Sequence, residues 1–299
     1  MKKIDIHCHI TAFPQYAPRR FNGSRTLDVN EQIAVHDKLN VDIGVILPGV
    51  SAEATFLQHF NEEAKFITDQ HPDRFMWFCD IDPRMISNDS TADLSYLINH
   101  YKSLGAKGIG ETSATIYADD PMMDNLFYHA AQCDMPMIIH ISPVERGTYG
   151  IIDDLGLPRI EKMLKKHPDL KLIGHSAAFW SEISSDITQE ERNGYPKGKV
   201  TEGRMPKLMR EYGNLYCDLS AGSGSNAMMR DPEYAARFIE EFADRIYYGT
   251  DVCAANATFQ YDFDDFLTKM VNDGMISTTN YEKIIRKNAE KLLGLDYTK

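Results

Sequence analysis

Short runs of apolar and β-branched residues recur along the chain, and residues that favour turns separate them. Eight of these runs predict β-strands: Lys3–Ile10, Val41–Leu47, Phe75–Asp80, Ala106–Glu111, Pro136–Ile141, Leu170–His175, Asn214–Leu219 and Arg245–Thr250. The intervening stretches that show helical spacing include Asp28–Asn40, Glu53–Gln70, Thr91–Leu104, Pro121–Cys133, Pro158–Lys166 and Pro232–Phe242. Strands that alternate with helices in this way indicate parallel pairing through right-handed crossovers.

Two architectures satisfy this alternation, an open doubly wound sheet and a closed (β/α)₈ barrel. Eight successive βα units in a chain of 299 residues are what the barrel requires. The first strand carries His7-Cys8-His9 where a dinucleotide-binding sheet would have a glycine-rich phosphate-binding turn. We therefore predict an α/β fold of the TIM-barrel type that forms a single domain over residues 1–299.

The composition restricts the partners and the compartment. The 32 Lys and Arg residues against 44 Asp and Glu residues give a net charge of −12, so neither nucleic acid nor an anionic membrane is expected as a partner. The five cysteines include no C-x-x-C pair, which favours a reducing compartment. With no visible export signal or membrane-spanning run, the sequence predicts a cytoplasmic protein that acts on a small molecule and can form a homo-oligomer.

Four of the ten histidines, His7, His9, His140 and His175, fall at the carboxyl ends of predicted strands. In a barrel, these ends form the face that carries the active site. Side chains alternate along a strand, so His7 and His9 are expected to share one face while Ile6, Cys8 and Ile10 point the opposite way, towards the covering helices. The sequence thus predicts a cluster of imidazoles at one mouth of the barrel.

Two carboxylates reach the same rim, because Glu111 ends the fourth predicted strand and Asp251 follows the eighth. Neutral imidazoles together with carboxylates suit Zn²⁺, Mn²⁺ or Fe²⁺. Each residue also has a structural interpretation: His140 or His175 could be a hydrogen-bonded core residue, Glu111 could pair with Lys107, and Asp251 could cap the next helix.

The motifs resemble those of the amidohydrolase superfamily, and within it the amidohydrolase 2 family, which includes aminocarboxymuconate-semialdehyde decarboxylase. The resemblance covers essentially the whole chain. It rests on His7-Cys8-His9, His71-Pro72-Asp73-Arg74-Phe75, Asp82-Pro83-Arg84, Pro136-Met137-Ile138-Ile139-His140, Ile173-Gly174-His175, Gly249-Thr250-Asp251 and Asn288-Ala289. It implies a metal-dependent barrel enzyme, but it does not specify a reaction.

The resemblance implies that His7, His9, His140 and Asp251 hold one divalent ion, most simply zinc. It also implies catalytic roles for Asp251 as a proton carrier and for His175 in polarising the substrate. Glu111 is similar to the bridging carboxylate of TatD-like deoxyribonucleases, in which His140 and His175 would hold a second ion. We expect one ion, with Glu111 as a further or bridging ligand, so the predicted metal-binding set comprises His7, His9, Glu111, His140, His175 and Asp251.

Several reactions are compatible with this set. A metal that lowers the pKa of bound water towards ~7 would support hydrolysis, with Asp251 taking the proton, and this is the main prediction. The same ion could stabilise the charge left when a carboxylate departs as CO₂, so a non-oxidative decarboxylase is the alternative. The net charge disfavours a TatD-like nuclease, and a catalytically silent metal-bound scaffold would be signalled by a missing ligand, whereas none is missing.

Two loops add expectations about the substrate. The segment after His175 is long for a βα connection, so it is predicted to act as a lid. The residues predicted to bind an anionic substrate lie in or just beyond this segment: Trp180, Arg192 and Arg204. The two arginines carry this prediction, because a guanidinium holds a carboxylate through two hydrogen bonds. The glycine-rich run of residues 220–226 is predicted to be a flexible active-site loop.

Overall fold

All eight predicted strands are present in the computed structural model, which describes residues 1–254 and 256–295. The strands are β1 (Lys3–Cys8), β2 (Val41–Ile46), β3 (Phe75–Trp77), β4 (Ile109–Thr112), β5 (Met137–Ser142), β6 (Leu172–His175), β7 (Leu215–Asp218) and β8 (Ile246–Tyr247). Three further strands of two residues lie in the connecting loops: Ile10–Thr11, Leu27–Asp28 and Ile151–Ile152.

The eight main strands form a closed parallel barrel. Ladders of parallel pairs join β1 to β3 and β4 to β8 in chain order. Backbone hydrogen bonds join the two ladders: Gly110 N–H donates to the carbonyl of Cys79 at 2.7 Å, and Ile6 N–H donates to the carbonyl of Tyr248 at 3.1 Å. The predicted TIM barrel is therefore confirmed.

Helices cover the outside of the barrel. They are α1 (Val29–Leu39), α2 (Asn61–Gln70), α3 (Ser95–Ser103), α4 (Pro121–Gln132), α5 (Pro158–Lys166), α6 (Ala177–Ser181), α7 (Arg204–Glu211), α8 (Ala221–Met229), α9 (Pro232–Phe242), α10 (Phe259–Asn272), α11 (Thr278–Glu282) and α12 (Asn288–Leu293). A 3₁₀ turn at Ala243–Arg245 connects α9 to β8, and a π-helical turn at Lys283–Lys287 connects α11 to α12. None of the helices in the described part of the chain combines the length and apolar character needed to cross a bilayer.

One predicted helix starts at a capped position as expected, and another starts later than predicted. Asp28 caps α1 in a reciprocal arrangement with Glu31, as the sequence around residues 28–40 suggests. The helix predicted from residue 53 instead begins at Asn61, so the first part of that prediction is wrong. Residues 51–60 form a loop that is tied back by paired hydrogen bonds between Gly49 and His59, and this loop borders the cavity described below.

The barrel interior is filled by its own apolar cluster, separate from the layer between strands and helices. Its buried members come from strands around the barrel and from α12: Ile4, Ile6, Val45, Leu47, Phe78, Ile138, Ile173, Tyr247, Ala289 and Leu293. Because this cluster fills one end of the barrel, the polar residues that follow it on each strand are gathered at the other end.

Ile6 belongs to this interior cluster, so the prediction that it faces the covering helices is wrong. The pairing of β1 with β2 shifts register between Asp5 and Cys8. Such an irregularity lets successive residues face the same side, and here it allows both Ile6 and His7 to point inwards. Cys8 does face outwards, with its Sγ 3.6 Å from Nε2 of His36 on α1.

Candidate metal centre

The structure brings the six predicted ligands together at the carboxyl ends of the strands, around the side chain of Glu111. Its Oε2 lies 3.5 Å from Nε2 of His7 and 3.2 Å from Nε2 of His9. Its Oε1 lies 2.6 Å from Nδ1 of His140 and 3.6 Å from Nε2 of His175. Each carboxylate oxygen therefore faces a different pair of histidines.

The backbone of β4 explains how Glu111 reaches this position. The pairing of β4 with β5 shifts register between Ile109 and Thr112, immediately around Glu111. Gly110 has a φ of +134°, and a Cβ at this position would lie 2.5 Å from the carbonyl oxygen of Ile138. Only glycine fits such a conformation beside a neighbouring strand, so Gly110 allows the chain to turn the Glu111 carboxylate inwards.

Asp251 completes the cluster from the end of β8. Its Oδ1 lies 3.5 Å from Nε2 of His9, and its Oδ2 lies 3.7 Å from Nε2 of His175. The backbone here is held firmly: Asp5 Oδ1 accepts hydrogen bonds of 2.9 Å from the N–H groups of both His7 and Thr250. Asp5 thus fixes the two strand ends that carry His7 and Asp251.

Asp218 orients two of the imidazoles. Its Oδ2 lies 2.7 Å from Nδ1 of His7, its Oδ1 lies 2.9 Å from Nδ1 of His175, and Ser220 Oγ donates to Oδ1 at 2.9 Å. A carboxylate that accepts from Nδ1–H fixes the tautomer and leaves Nε2 free as a ligand. His9 is held in the same way, with its Nδ1 3.0 Å from the carbonyl of Leu47.

The ionisable groups of the cluster shift one another's pKa values. Burial favours the neutral form of His7, but the carboxylates of Asp218 and Asp251 outweigh it and hold the pKa of His7 well above its usual value. Burial would raise the pKa of Glu111, but His140 and His175 outweigh it and hold the pKa of Glu111 well below its usual value. The buried carboxylates thus attract positive charge to this point of the barrel.

The donor set fits a divalent metal ion. The ligand atoms of His7, His9 and Glu111 lie within 4.8 Å of one another, and so do those of Glu111, His140 and His175. Imidazole nitrogens and carboxylate oxygens are the ligands of zinc, manganese and ferrous ions in proteins. The two groups share Glu111, so the arrangement offers two adjacent sets of donors.

A cavity of about 230 Å³ opens directly onto the cluster. His9, Glu111 and Asp251 form its polar floor, and loops around the barrel mouth supply the remaining wall: Arg20, Pro48, Gly49, Ala54, Thr55, Leu57, His59, Ser113, Tyr149 and Cys253. A small organic molecule in this cavity would have direct access to the carboxylates and to His9.

Trp180 and Arg192 lie away from this cavity, contrary to the sequence prediction that they bind substrate. Trp180 is 1% exposed, and its indole N–H donates to the carbonyl of Asp218 at 3.0 Å. Arg192 is fully buried, with Nε 3.0 Å from Glu182 and Nη1 donating to the carbonyl of Asp153. Both side chains are therefore committed to the protein interior, Trp180 by burial and a hydrogen bond and Arg192 by burial and an ion pair. The start of the segment predicted as a lid is packed core.

Arg204 also lies outside the cavity wall. At the start of α7 it pairs with Glu161 at 2.8 Å and with Glu211 at 3.2 Å, so surface carboxylates already neutralise its charge. The cation that does line the cavity is Arg20, in the loop between β1 and α1. The sequence could have indicated this role, because Arg20 lies in the loop after the strand that carries His7 and His9, and βα loops build the active-site face of a barrel.

The glycine-rich run of residues 220–226 is not a flexible loop, and that prediction is wrong. Most of it lies in α8, which begins at Ala221. A Cβ on Gly224 would lie 2.6 Å from the backbone of Leu219, so glycine here lets the helix pack closely against the end of β7. The small residues serve close packing beside Ser220 and Asp218.

The Asp218→Asn variant is expected to bind its metal about 10–100-fold more weakly, because the amide cannot hold the Nδ1–H groups of both histidines as the carboxylate does. Competition with a metallochromic chelator measures the affinity. Asp153→Asn is the matched control, since it changes another fully buried carboxylate, one that accepts from the backbone of Arg159 and Ile160. Wild-type affinity in Asp218→Asn would contradict the orienting role.

The chain is similar to known proteins along nearly its whole length. The family model described as Amidohydrolase matches residues 4–295. No curated protein matches the chain. Among solved structures, an uncharacterised TIM-barrel protein from Bordetella bronchiseptica is 16% identical, with a TM-score of 0.68 over 98% of this chain and 99% of that one.

Two other solved structures are similar over their full length. A probable 2-pyrone-4,6-dicarboxylic acid hydrolase from Acinetobacter baumannii, with citric acid bound, is 14% identical, with a TM-score of 0.61 over 99% of this chain and 100% of that one. A dihydroxybenzoic acid decarboxylase from a Polaromonas species, with manganese and 2-nitroresorcinol bound, is 17% identical, with a TM-score of 0.57 over 98% and 97%. At these identities the similarity establishes a shared fold.

Proposed function

Because the chain belongs to the amidohydrolase family, we propose that it is a metal-dependent hydrolase of small organic molecules. The observation that carries the proposal is the convergence of Glu111 and Asp251 with four imidazoles, one of which, His9, joins both carboxylates on the floor of a cavity. This set combines metal ligands with a carboxylate that reaches the cavity. Both are needed to generate and direct a nucleophile from water.

We propose one bound divalent ion, held within the set His7, His9, Glu111, His140, His175 and Asp251. When bound, such an ion supplies Lewis acidity and lowers the pKa of a water ligand towards ~7. Zinc is the first candidate on its ligand preferences, with manganese and iron as alternatives. The manganese in the Polaromonas structure supports including manganese in the tests.

Asp251 is the proposed proton carrier. Its side chain is 17% exposed, lines the cavity, and lies beside both His9 and His175. In hydrolysis the carboxylate would accept a proton from the attacking water and deliver it to the leaving group. His175, whose Nδ1 is held by Asp218, would direct its Nε2 towards the polarised oxygen of the substrate.

Non-oxidative decarboxylation is the second candidate, and the Polaromonas decarboxylase with the same fold favours testing it. In that reaction the bond from the substrate carbon to its carboxylate breaks, CO₂ leaves, and the electron pair stays on the carbon. Asp251 in its protonated form would then deliver a proton to that carbon. The same residues thus serve both reactions, with the proton moving to a different atom.

Isotopic labelling separates the two reactions. We expect turnover of a member of a panel of lactones, amides and aromatic carboxylates in H₂¹⁸O to place one ¹⁸O atom in the acid product. A decarboxylase would instead release CO₂ and, in D₂O, place one deuterium on the carbon that lost it. Mass spectrometry of the products measures both, and turnover that persists after removal of the metal would contradict the metal-dependent proposal.

A further inference from the structure

Arg20 is the only described residue in the cavity wall with a permanent positive charge. The net charge of the chain is −12, and the other charged groups that line the cavity are the carboxylates of Glu111 and Asp251. Those two carboxylates belong to the metal cluster. The guanidinium of Arg20 therefore requires an anion other than these two carboxylates as its partner.

The guanidinium of Arg20 forms no hydrogen bond or ion pair with the described residues. Its Nη1 is buried and makes no hydrogen bond. Two other arginines in loops at this end of the barrel do pair with carboxylates: Arg25 binds Glu31 through two hydrogen bonds of 2.7 Å, and Arg84 pairs with Asp82. A buried donor without an acceptor is costly, and an anion in the cavity would remove that cost.

The loop that carries Arg20 is ordered by specific contacts. Its base is fixed where Ile10–Thr11 pairs with Leu27–Asp28. The N–H of Arg20 donates to Ser24 at 2.9 Å, and the N–H of Gly23 donates back to Arg20 at 2.8 Å. The exposed ring of Phe21 lies beside that of Phe56, with centroids 5.4 Å apart, next to the 51–60 segment that also borders the cavity. The pairing at the loop base and the turn hydrogen bonds therefore fix the backbone that carries Arg20 before a ligand binds.

We propose that Arg20 binds a carboxylate of the substrate at the end remote from the reacting group. The substrate class is then an organic acid whose reacting carbonyl or carboxyl group meets the metal cluster while a separate carboxylate meets Arg20. One guanidinium matches the charge and the planar geometry of one carboxylate. The apolar wall of Pro48, Ala54 and Leu57 suits the carbon skeleton between the two groups. This inference rests on the proposed function, because the cluster receives the reacting group.

Binding of simple acids tests the proposal without knowledge of the natural substrate. The probes are linear dicarboxylates of four to eight carbons and the matching half-amides, titrated calorimetrically into the zinc-loaded protein. We expect at least one dicarboxylate to bind about tenfold or more tightly than its half-amide, as charge-assisted hydrogen bonds predict. Arg20→Gln should reduce that ratio to near one.

Arg19→Gln is the matched control. Arg19 lies in the same loop, is exposed, and donates to the carbonyl of Gly23 at 3.1 Å, so its loss removes an equal charge without touching the cavity wall. The ratio should stay near its wild-type value in this variant. A preference that persists in Arg20→Gln, or a wild-type protein that binds no dicarboxylate better than its half-amide, would overturn the proposal.

The titrations are repeated after removal of the metal, and metal content per chain is measured separately. A protein that holds no metal would refute the proposed function, while the ratio of dicarboxylate to half-amide affinity would still report on Arg20. If the protein binds metal but the ratio of dicarboxylate to half-amide affinity is the same in Arg20→Gln as in the wild type, the inference about Arg20 is refuted and the proposed function is not.

Discussion

The His7→Ala/His9→Ala double variant is expected to lose its metal and all metal-dependent turnover. The Nε2 atoms of these two residues lie 3.1 Å apart and face Glu111 and Asp251, so the variant removes two nitrogen donors from one side of the cluster. Loss of a group that merely orients a ligand typically costs about 10–100-fold in metal affinity, so loss of two ligands should exceed that range. Elemental analysis of the purified variant measures the effect.

The control for this variant removes two imidazoles from outside the cluster. His100 and His129 lie on α3 and α4, and His100→Ala/His129→Ala should leave metal content unchanged. Circular dichroism of both double variants checks that the barrel is still folded. Undiminished metal content in His7→Ala/His9→Ala would refute the proposed ligand set.

The sequence allowed prediction of the barrel because its signal is repeated. Eight apolar runs separated by helical stretches point to one architecture, and an error in one element does not alter the result. The ligand positions were predictable for a related reason. His140 follows the apolar run of residues 137–139 and His175 follows that of residues 172–174, so an ionisable residue at these positions marks the rim.

Strict alternation along a strand could not predict the inward direction of Ile6 and Glu111, because both depend on irregular backbone. Alternation placed Ile6 outside the barrel, but the register shift in β1 turns both Ile6 and His7 inwards. Such shifts depend on pairing with the neighbouring strand, which leaves no local pattern in the sequence. The same limit applies to Glu111, whose inward direction depends on the close approach of Gly110 to β5.

The sequence also could not show that Arg20, rather than Arg192, lines the cavity. Arg192 and Arg20 look equivalent in the sequence, since both are arginines in loops that follow a ligand-bearing strand. Their roles differ because Glu182 lies next to Arg192 in the interior, whereas no described carboxylate pairs with Arg20. Partners distant in sequence decide which charge is available to a ligand, and only the folded structure shows them.

Asp251→Asn is expected to lower kcat by on the order of 10²-fold or more while the protein retains metal. Asparagine keeps the size of the side chain and one oxygen that can face the ion, but the amide cannot accept and return a proton at neutral pH. The left-handed backbone at this position, with φ of +51°, also accommodates asparagine, so the variant should fold as the wild type does. Steady-state kinetics together with metal content measures the effect.

The balance between kcat and KM distinguishes a proton carrier from a residue that only shapes the cavity. Ser113→Ala serves as the control, because Ser113 lines the same cavity but is not among the proposed metal ligands. A change in cavity shape should act mainly on KM, whereas loss of proton transfer acts on the chemical step and lowers kcat and kcat/KM together. Near-normal kcat in a fully metallated Asp251→Asn protein would assign the proton to another group, and His175, 3.7 Å from Asp251, would then be the next residue to test.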